Sequence, residues 1–197
     1  MTTIRTWVCI LSLLTLPAAH FSEPAFADQG KGSIERSVIA GTSLPMTLFR
    51  AHPDRRLTTA AFQLGRVMTN DRSAGNFELL LEISPFLWAH QPENAFGVTA
   101  SPVHMRWNVG PGRFRPMRVF AEASGGIVYT NVPVPMRATT TFNFIDQAGF
   151  GLRLGRNPRR AWLLGYRFQH ISNAGRAKPN PGVNFNFVYG GVSFLRP

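Results

Sequence analysis

The sequence predicts an all-β protein, an eight-stranded antiparallel transmembrane β-barrel. Three observations support this fold class: apolar and polar residues alternate with a period of two, the chain begins with an export signal, and the exported part has no helical apolar stripe. Successive side chains of a β-strand point to opposite faces, so a period of two gives a segment one apolar face and one polar face.

The export signal is expected at residues 1–27. Arg5 supplies a positive charge, residues 7–19 form the apolar stretch, and Ala25, Phe26 and Ala27 form a cleavage site of the A-x-A type. We therefore expect a signal peptide at 1–27 and a single barrel domain at 28–197. The one cysteine lies in the signal, so the exported domain must be stable without disulfides.

Eight segments have about the 9–11 residues with which a tilted strand crosses a bilayer. The alternation is clearest in the third, fifth and seventh. The third has apolar odd positions up to Leu87, with Glu78 and Glu82 at even positions, whereas the seventh has apolar even positions and Arg167 at an odd one. In chain order, the strands are predicted at 33–40, 57–69, 77–87, 96–107, 117–129, 142–154, 161–172 and 183–194.

Two kinds of barrel have this pattern. In a soluble periplasmic barrel of the lipocalin type the apolar face points inward, whereas in an outer-membrane barrel it meets lipid and the polar face fills a narrow lumen. Charges of both signs on the polar faces favour the membrane barrel, because they can pair across an eight-stranded lumen. So do tryptophans at strand ends, where an interfacial aromatic belt lies. The residues concerned are Glu78, Glu82, Glu122, Arg118, Arg167, Trp88, Trp107 and Trp162.

The formal net charge of +11 indicates an anionic partner surface such as lipid phosphates. No zinc-ligand spacing, phosphate-binding glycine loop or RNA-binding aromatic signature is present, and the five histidines are scattered. We therefore expect no metal site, no cofactor and no nucleic acid partner.

The segment HISNAGRAKPNPG, residues 170–182, holds the candidate site. Both termini of such barrels normally lie in the periplasm, so the seventh strand runs outward and ends at the outer rim. His170 and Ser172 share the lipid-facing side of that strand and are separated by ~6.6–7 Å along it. A serine hydroxyl becomes a nucleophile when a base takes its proton, and histidine is the usual base.

QHISNAGRAKPNPGVNF (169–185), together with the preceding FNFIDQAGFGLRLG (142–155), resembles the lipid A 3-O-deacylase (PagL-like) family of outer-membrane barrels. The resemblance implies that His170 is the general base, that Ser172 is the nucleophile and that Asn173 helps to stabilise the oxyanion. The implied reaction is hydrolysis of the ester-linked acyl chain at the 3-position of lipid A, and the implied partner is lipopolysaccharide of the outer leaflet.

One position departs from the family. Its type members carry a glutamate that orients the histidine, and this chain has Asn184 there. An amide can fix the imidazole tautomer but cannot stabilise imidazolium as a carboxylate does. Asn184 is therefore the candidate third catalytic residue. If the aromatic residues Phe185, Phe187 and Tyr189 face lipid, Asn184 faces the lumen, and a bulge or a one-residue shift would be needed to bring Asn184 or Asn186 beside His170. Asp146 on the preceding strand is a possible substitute carboxylate.

Arg176 and Lys178 are candidates for contact with lipid A phosphates, although such loop residues are often only solvated. In the same loop, Pro181 and Gly182 suit a type II turn that closes the last hairpin. Besides an active esterase, two functions stay open: a non-catalytic outer-membrane barrel that binds lipid, and a soluble periplasmic carrier of a small apolar ligand.

Overall fold

The computed structural model describes residues 30–109, 117–137, 140–157 and 159–196, which form a closed antiparallel barrel. The predicted signal peptide and its cleavage site lie outside the described residues. Each strand pairs with its neighbours in the chain, and β1 pairs with β8 to close the barrel, as the sequence predicted. The strands are β1 (Ile34–Leu44), β2 (Arg56–Val67), β3 (Gly75–His90), β4 (Ala95–Val109), β5 (Met117–Thr130), β6 (Phe142–Asn157), β7 (Arg160–Ser172) and β8 (Val183–Arg196).

The outside of the barrel is apolar. Large exposed hydrophobic side chains occur on every strand, among them Val38, Phe62, Leu81, Val98, Val119, Phe150, Trp162 and Phe194. A soluble barrel turns this face inward, so the soluble carrier is excluded and the transmembrane arrangement is confirmed. Among the described residues, no helix is long and apolar enough to span a membrane.

The predicted pairing of charges takes place inside the barrel. Arg167 donates to Glu122 at 2.6 Å and to Glu82 at 3.0 Å, and Arg106 donates to Glu35 at 3.0 Å. These side chains are buried, and a buried charge persists only when it is paired and hydrogen-bonded. Arg118 is also buried and paired, but its partner at 2.7 Å is Asp71 of the β2–β3 connection and not a carboxylate of a strand.

The two ends of the barrel differ. At the end of the barrel where β1 connects to β2, three of the four connections are long: 45–55, 131–141 and 173–182. The connections at the other end are shorter: 68–74, 110–116 and 158–159. Outer-membrane barrels have short periplasmic turns and longer extracellular loops, which agrees with the predicted direction of β7. At the extracellular end an apolar cluster that includes Ile171, Val183 and Phe185 fills the lumen and supports the ends of β7 and β8 from inside.

The predicted direction of the Leu87 side chain was wrong. The alternation placed Leu87 on the lipid-facing side of β3, but Leu87 is buried and Phe86 is exposed. The register with β4 shifts between Ser84 and Leu87, and a bulge of this kind reverses the faces of all residues that follow. Pro85 has no N–H for the ladder, and the Ser84 hydroxyl lies 2.8 Å from the Ala60 carbonyl oxygen and 2.7 Å from that of Phe86.

Candidate active site

His170 and Ser172 lie on the outward face at the extracellular end of β7, as predicted. Both are half-buried. Ile171, which lies between them, and Gln169, which precedes His170, point inward and are buried. β7 is hydrogen-bonded to β6 on one side and to β8 on the other, which fixes which of its side chains face outward. A shift of the register by one residue would turn His170 and Ser172 into the lumen.

Asn184 lies beside His170 on the adjacent strand. The two residues are cross-strand partners, and His170 Nδ1 is 2.6 Å from Asn184 Oδ1. The other end of the amide, Nδ2, donates to the backbone oxygen of Phe49 at 2.9 Å. A carbonyl oxygen only accepts, so Nδ2 must face Phe49 and Oδ1 must face the imidazole. Nδ1 therefore carries the proton, and Nε2 is left as the basic nitrogen.

The interpretation that would have turned Asn184 into the lumen was wrong. Phe185, Phe187 and Tyr189 are the buried, inward residues of β8. Tyr189 donates from its hydroxyl to Glu122 at 2.6 Å, and its ring occupies the space that a side chain at Gly165 would take. The narrow lumen thus accommodates aromatic rings because a neighbouring strand has a glycine opposite them.

Ser172 has Phe144 of β6 as its cross-strand neighbour. Among the described residues, neither its hydroxyl nor Nε2 of His170 has a hydrogen-bond partner, so the two groups share a face without being bonded to each other. Catalytic hydrogen bonds are often long in the absence of substrate and shorten in the reacting complex. Within the described part of the chain, no other group competes with a substrate that reaches these two atoms from the lipid side.

Asn173 is buried in the β7–β8 loop. Its Nδ2 donates to the Ala177 carbonyl at 2.9 Å, and its Oδ1 accepts from the Gly175 N–H at 2.9 Å. One hydrogen of the amide nitrogen is thus used within the loop, and the second has no acceptor among the described residues. Ala174, the next residue, has a φ of 52°, which is an uncommon conformation for a residue other than glycine.

The two predicted cationic residues lie in the same loop. Arg176 is exposed, and its guanidinium carbon stands 5.5 Å from the ring centroid of Phe142 and 5.9 Å from that of Phe144. It borders a cleft of about 370 Å³ that is also lined by Thr140, Phe142, Asn173 and Ala177. Lys178 is exposed and has no ion pair among the described residues. Phe144 thus lies beside both Arg176 and Ser172.

The alternative third residues occupy different places. Asp146 is the cross-strand partner of His170 on β6 and is exposed, but no cation lies within 4.0 Å of its carboxylate among the described residues. Asn186 is buried; its Oδ1 accepts from the Tyr166 hydroxyl at 2.6 Å, and its Nδ2 donates to the Leu48 carbonyl at 2.8 Å. Asn184 is therefore the residue that contacts the imidazole.

A segment that the sequence did not single out completes the site. Residues 45–51, here called the strap, leave β1 and fold over the outer face of β8, with a short 3₁₀ turn at Leu48–Arg50. The Phe49 ring packs edge-on against Phe168 with 5.4 Å between centroids. Backbone carbonyl groups of the strap accept hydrogen bonds from Asn184 and Asn186. Because every residue has such a carbonyl group, no residue pattern in the sequence predicts these contacts.

Gly182 provides the space for the imidazole. A Cβ built on this residue would lie 2.9 Å from His170 Cε1, and its φ of 60° is in the left-handed region. Both facts require glycine, and the positive φ agrees with the turn predicted for this position. Among the described residues, no group of three or more histidine, cysteine or acidic side chains is placed to hold a metal ion.

Comparisons with known proteins agree with this architecture. The family model described as lipid A 3-O-deacylase (PagL) matches residues 59–193. The lipid A deacylase PagL of Bordetella bronchiseptica is 29% identical over 116 residues, which cover 56% of this chain and 59% of that protein. The aligned part thus spans somewhat more than half the length of that relative.

Two solved structures have the same fold. The crystal structure of the outer membrane enzyme PagL superposes with a TM-score of 0.54 at 17% identity, over 80% of this chain and 97% of that one. The outer membrane protein OprG from Pseudomonas aeruginosa gives a TM-score of 0.52 at 9% identity, over 86% of this chain and 99% of that one. The chain is an outer-membrane β-barrel, and it belongs to the lipid A 3-O-deacylase (PagL) family.

Proposed function

We propose that the chain is an outer-membrane esterase that hydrolyses the 3-O-linked acyl chain of lipid A. The observation that supports this most directly is the hydrogen-bonded chain from the strap carbonyl of Phe49 through Asn184 to His170. It leaves the basic nitrogen of the imidazole free, two residues along the same face from Ser172. Family membership supports the reaction class, and the position on the outer face at the extracellular end suits a substrate in the outer leaflet.

In the proposed mechanism, Nε2 of His170 takes the proton of the Ser172 hydroxyl as Oγ attacks the ester carbonyl. The tetrahedral intermediate collapses when imidazolium gives this proton to the departing 3-oxygen of the sugar, which leaves the acyl group on Ser172. Water, activated by the same imidazole, then hydrolyses the acyl-serine and releases the fatty acid. No cofactor takes part in these steps.

The oxyanion of the intermediate needs donors that are already in place. We assign this role to Asn173, through the amide hydrogen that the loop does not use. Arg176 and, farther along the loop, Lys178 would hold a phosphate of lipid A, since guanidinium binds phosphate in a bidentate manner. The aromatic rings beneath Arg176 keep its side chain over the lipid face near Ser172.

Asn184 would act as a positioning residue, but its contribution to the reaction rate is limited. It fixes the tautomer of His170 but carries no negative charge to stabilise the imidazolium that forms. We therefore expect a slower enzyme than one with a carboxylate at this position. The second candidate, a non-catalytic lipid-binding barrel, is favoured by this same substitution.

The deciding experiment is mass spectrometry of lipid A from cells that express the chain, compared with cells that express Ser172→Ala at equal amounts of folded barrel. The esterase predicts loss of the acyl chain at the 3-position only with the unsubstituted protein. Unchanged lipid A in both strains would favour the non-catalytic barrel instead.

A further inference from the structure

Four exposed arginines lie on the lipid-facing side of the barrel at the end opposite to the candidate active site. Here called the basic seam, they are Arg160 of β7, Arg196 of β8, Arg36 of β1 and Arg66 of β2. They flank the junction where β8 closes the barrel against β1. With the long loops extracellular, this end meets the periplasmic leaflet.

The strand register places these arginines in two adjacent rows. Phe194 is the cross-strand partner of both Arg160 and Arg36, so the two arginines lie on the strands at either side of it. Ile34 is likewise the partner of both Arg196 and Arg66 in the next row. Neighbouring strands lie about 4.7–4.9 Å apart, and residues i and i+2 about 7 Å apart along a strand. Arg160 and Arg36 are thus separated by two strand spacings, about 10 Å, so their long side chains can reach one phosphate, with Arg196 and Arg66 in the next row.

Among the described residues, no carboxylate balances this charge, and none of the four arginines has an ion pair within 4.0 Å. The described acidic side chains lie elsewhere: Glu35, Glu78, Glu82 and Glu122 are buried in the lumen, Asp71 pairs with Arg118, and Asp54, Glu93 and Asp146 lie toward the extracellular end. Unpaired arginines beside a hydrocarbon surface are stabilised when they reach the phosphate layer.

A cleft next to the basic seam provides room for lipid. It measures about 430 Å³ and is lined by Gly155, Asn157, Arg160, Ala161, Trp162, Val192 and Phe194. Its walls are mainly apolar, and Arg160 borders it with its guanidinium carbon 5.2 Å from the centroid of the Phe194 ring. Trp162 is 66% exposed on the same face, as is typical of an indole at the membrane interface.

We propose that the basic seam is a binding site for an anionic phospholipid of the periplasmic leaflet. The lipid phosphate would lie between Arg160 and Arg36 over Phe194, and an acyl chain would follow the cleft past Trp162. Guanidinium suits this role because it stays charged, binds phosphate oxygens in pairs and stacks on aromatic rings. The site is independent of the esterase, since it lies at the other end of the barrel from Ser172.

The test measures the binding of phosphatidylglycerol and of phosphatidylcholine with identical acyl chains to the detergent-solubilised barrel by native mass spectrometry. The unsubstituted protein is expected to bind phosphatidylglycerol at least tenfold more tightly. A cation near a membrane surface contributes about a fivefold gain in affinity for anionic lipid, so Arg36→Gln with Arg160→Gln is expected to weaken binding about 25-fold. The double variant Arg36→Lys with Arg160→Lys should retain most of the affinity for phosphatidylglycerol.

The matched control removes the same charge from the extracellular end, with Arg56→Gln and Arg137→Gln, and should change binding less than twofold. Folding of each variant is checked by circular dichroism, and the single substitutions, each expected to cost about fivefold, serve if the double variant does not fold. Equal binding of the two lipids, or an equal loss in the control, would overturn the proposal. Glycerol phosphate that binds as tightly as the lipid would also overturn it, because the site would then be one for free phosphate.

Discussion

Replacing Asn184 by glutamate introduces the carboxylate that the resemblance to the family implies for this position. The amide oxygen of Asn184 lies 2.6 Å from Nδ1 of His170, so the position is close enough for a direct hydrogen bond. We expect Asn184→Glu to increase the rate of deacylation, because a carboxylate stabilises the imidazolium that forms as Ser172 attacks.

The size of the gain follows from the two kinds of hydrogen bond. A bond to a charged group contributes roughly 1.5–3 kcal/mol and a neutral one roughly 0.5–1.5 kcal/mol, so the difference of about 1–1.5 kcal/mol corresponds to a rate increase of about five- to twelvefold. The strap opposes this gain. Phe49 loses the donor that Nδ2 supplies, and its carbonyl oxygen then faces a carboxylate, so the free energy of unfolding should fall by roughly 1–2 kcal/mol.

The assay is the release of fatty acid from lipid A by purified barrel in mixed micelles, measured alongside thermal stability. Asn184→Asp is the isosteric control, since its carboxylate keeps the reach of the amide. Asn184→Ala removes the bond to His170 and should slow the reaction about tenfold, as expected for one hydrogen bond of about 1.4 kcal/mol. An alanine variant with full activity, together with no gain from glutamate, would refute the role of Asn184 and direct attention to Asp146.

Three further substitutions test the surroundings of the site. Gly182→Ala should slow deacylation at least tenfold in a folded barrel, because its Cβ displaces the His170 ring and its φ disfavours alanine; an unchanged rate would show that the ring does not need this space. Asn186→Ala should lower the free energy of unfolding by roughly 1–3 kcal/mol through loss of its bonds to Tyr166 and the strap, and a stability equal to that of the unsubstituted protein would mean that the strap is held otherwise. Asp146→Asn should change the rate less than twofold, because its carboxylate pairs with no cation in the described part of the chain, and a large loss would make it a participant in the reaction.

The alternation of side chains was sufficient to predict the fold. All eight strands were anticipated within a few residues of their observed ends, because a membrane barrel repeats one simple rule on every strand. The rule failed after Ser84, where a bulge at Pro85 reverses the faces and buries Leu87. Such a bulge depends on a local hydrogen-bond arrangement that period-two reasoning does not include.

The candidate site was predictable in part. The phase of β7 put His170 and Ser172 on one face because Arg167 and Gln169 mark the other. The phase of β8 was ambiguous, since aromatic residues alternate there with asparagines and either set can face lipid. The structure places the aromatics inside, where Gly165 leaves room, and covers Asn186 with the strap. Hydrogen bonds to backbone carbonyl groups of residues distant in the sequence cannot be predicted from residue types, because every residue has such a group.

The central claim, that Ser172 and His170 act as one catalytic unit, is tested most directly by the rate of fatty-acid release for Ser172→Ala, His170→Ala and the double variant. Residues that act as a unit are strongly non-additive, so the account predicts that each single variant loses several orders of magnitude and that the double variant is no slower than either. Since both side chains face outward, all three barrels should remain folded. A rate close to that of the unsubstituted protein in either single variant, or losses that add up in the double variant, would contradict the account.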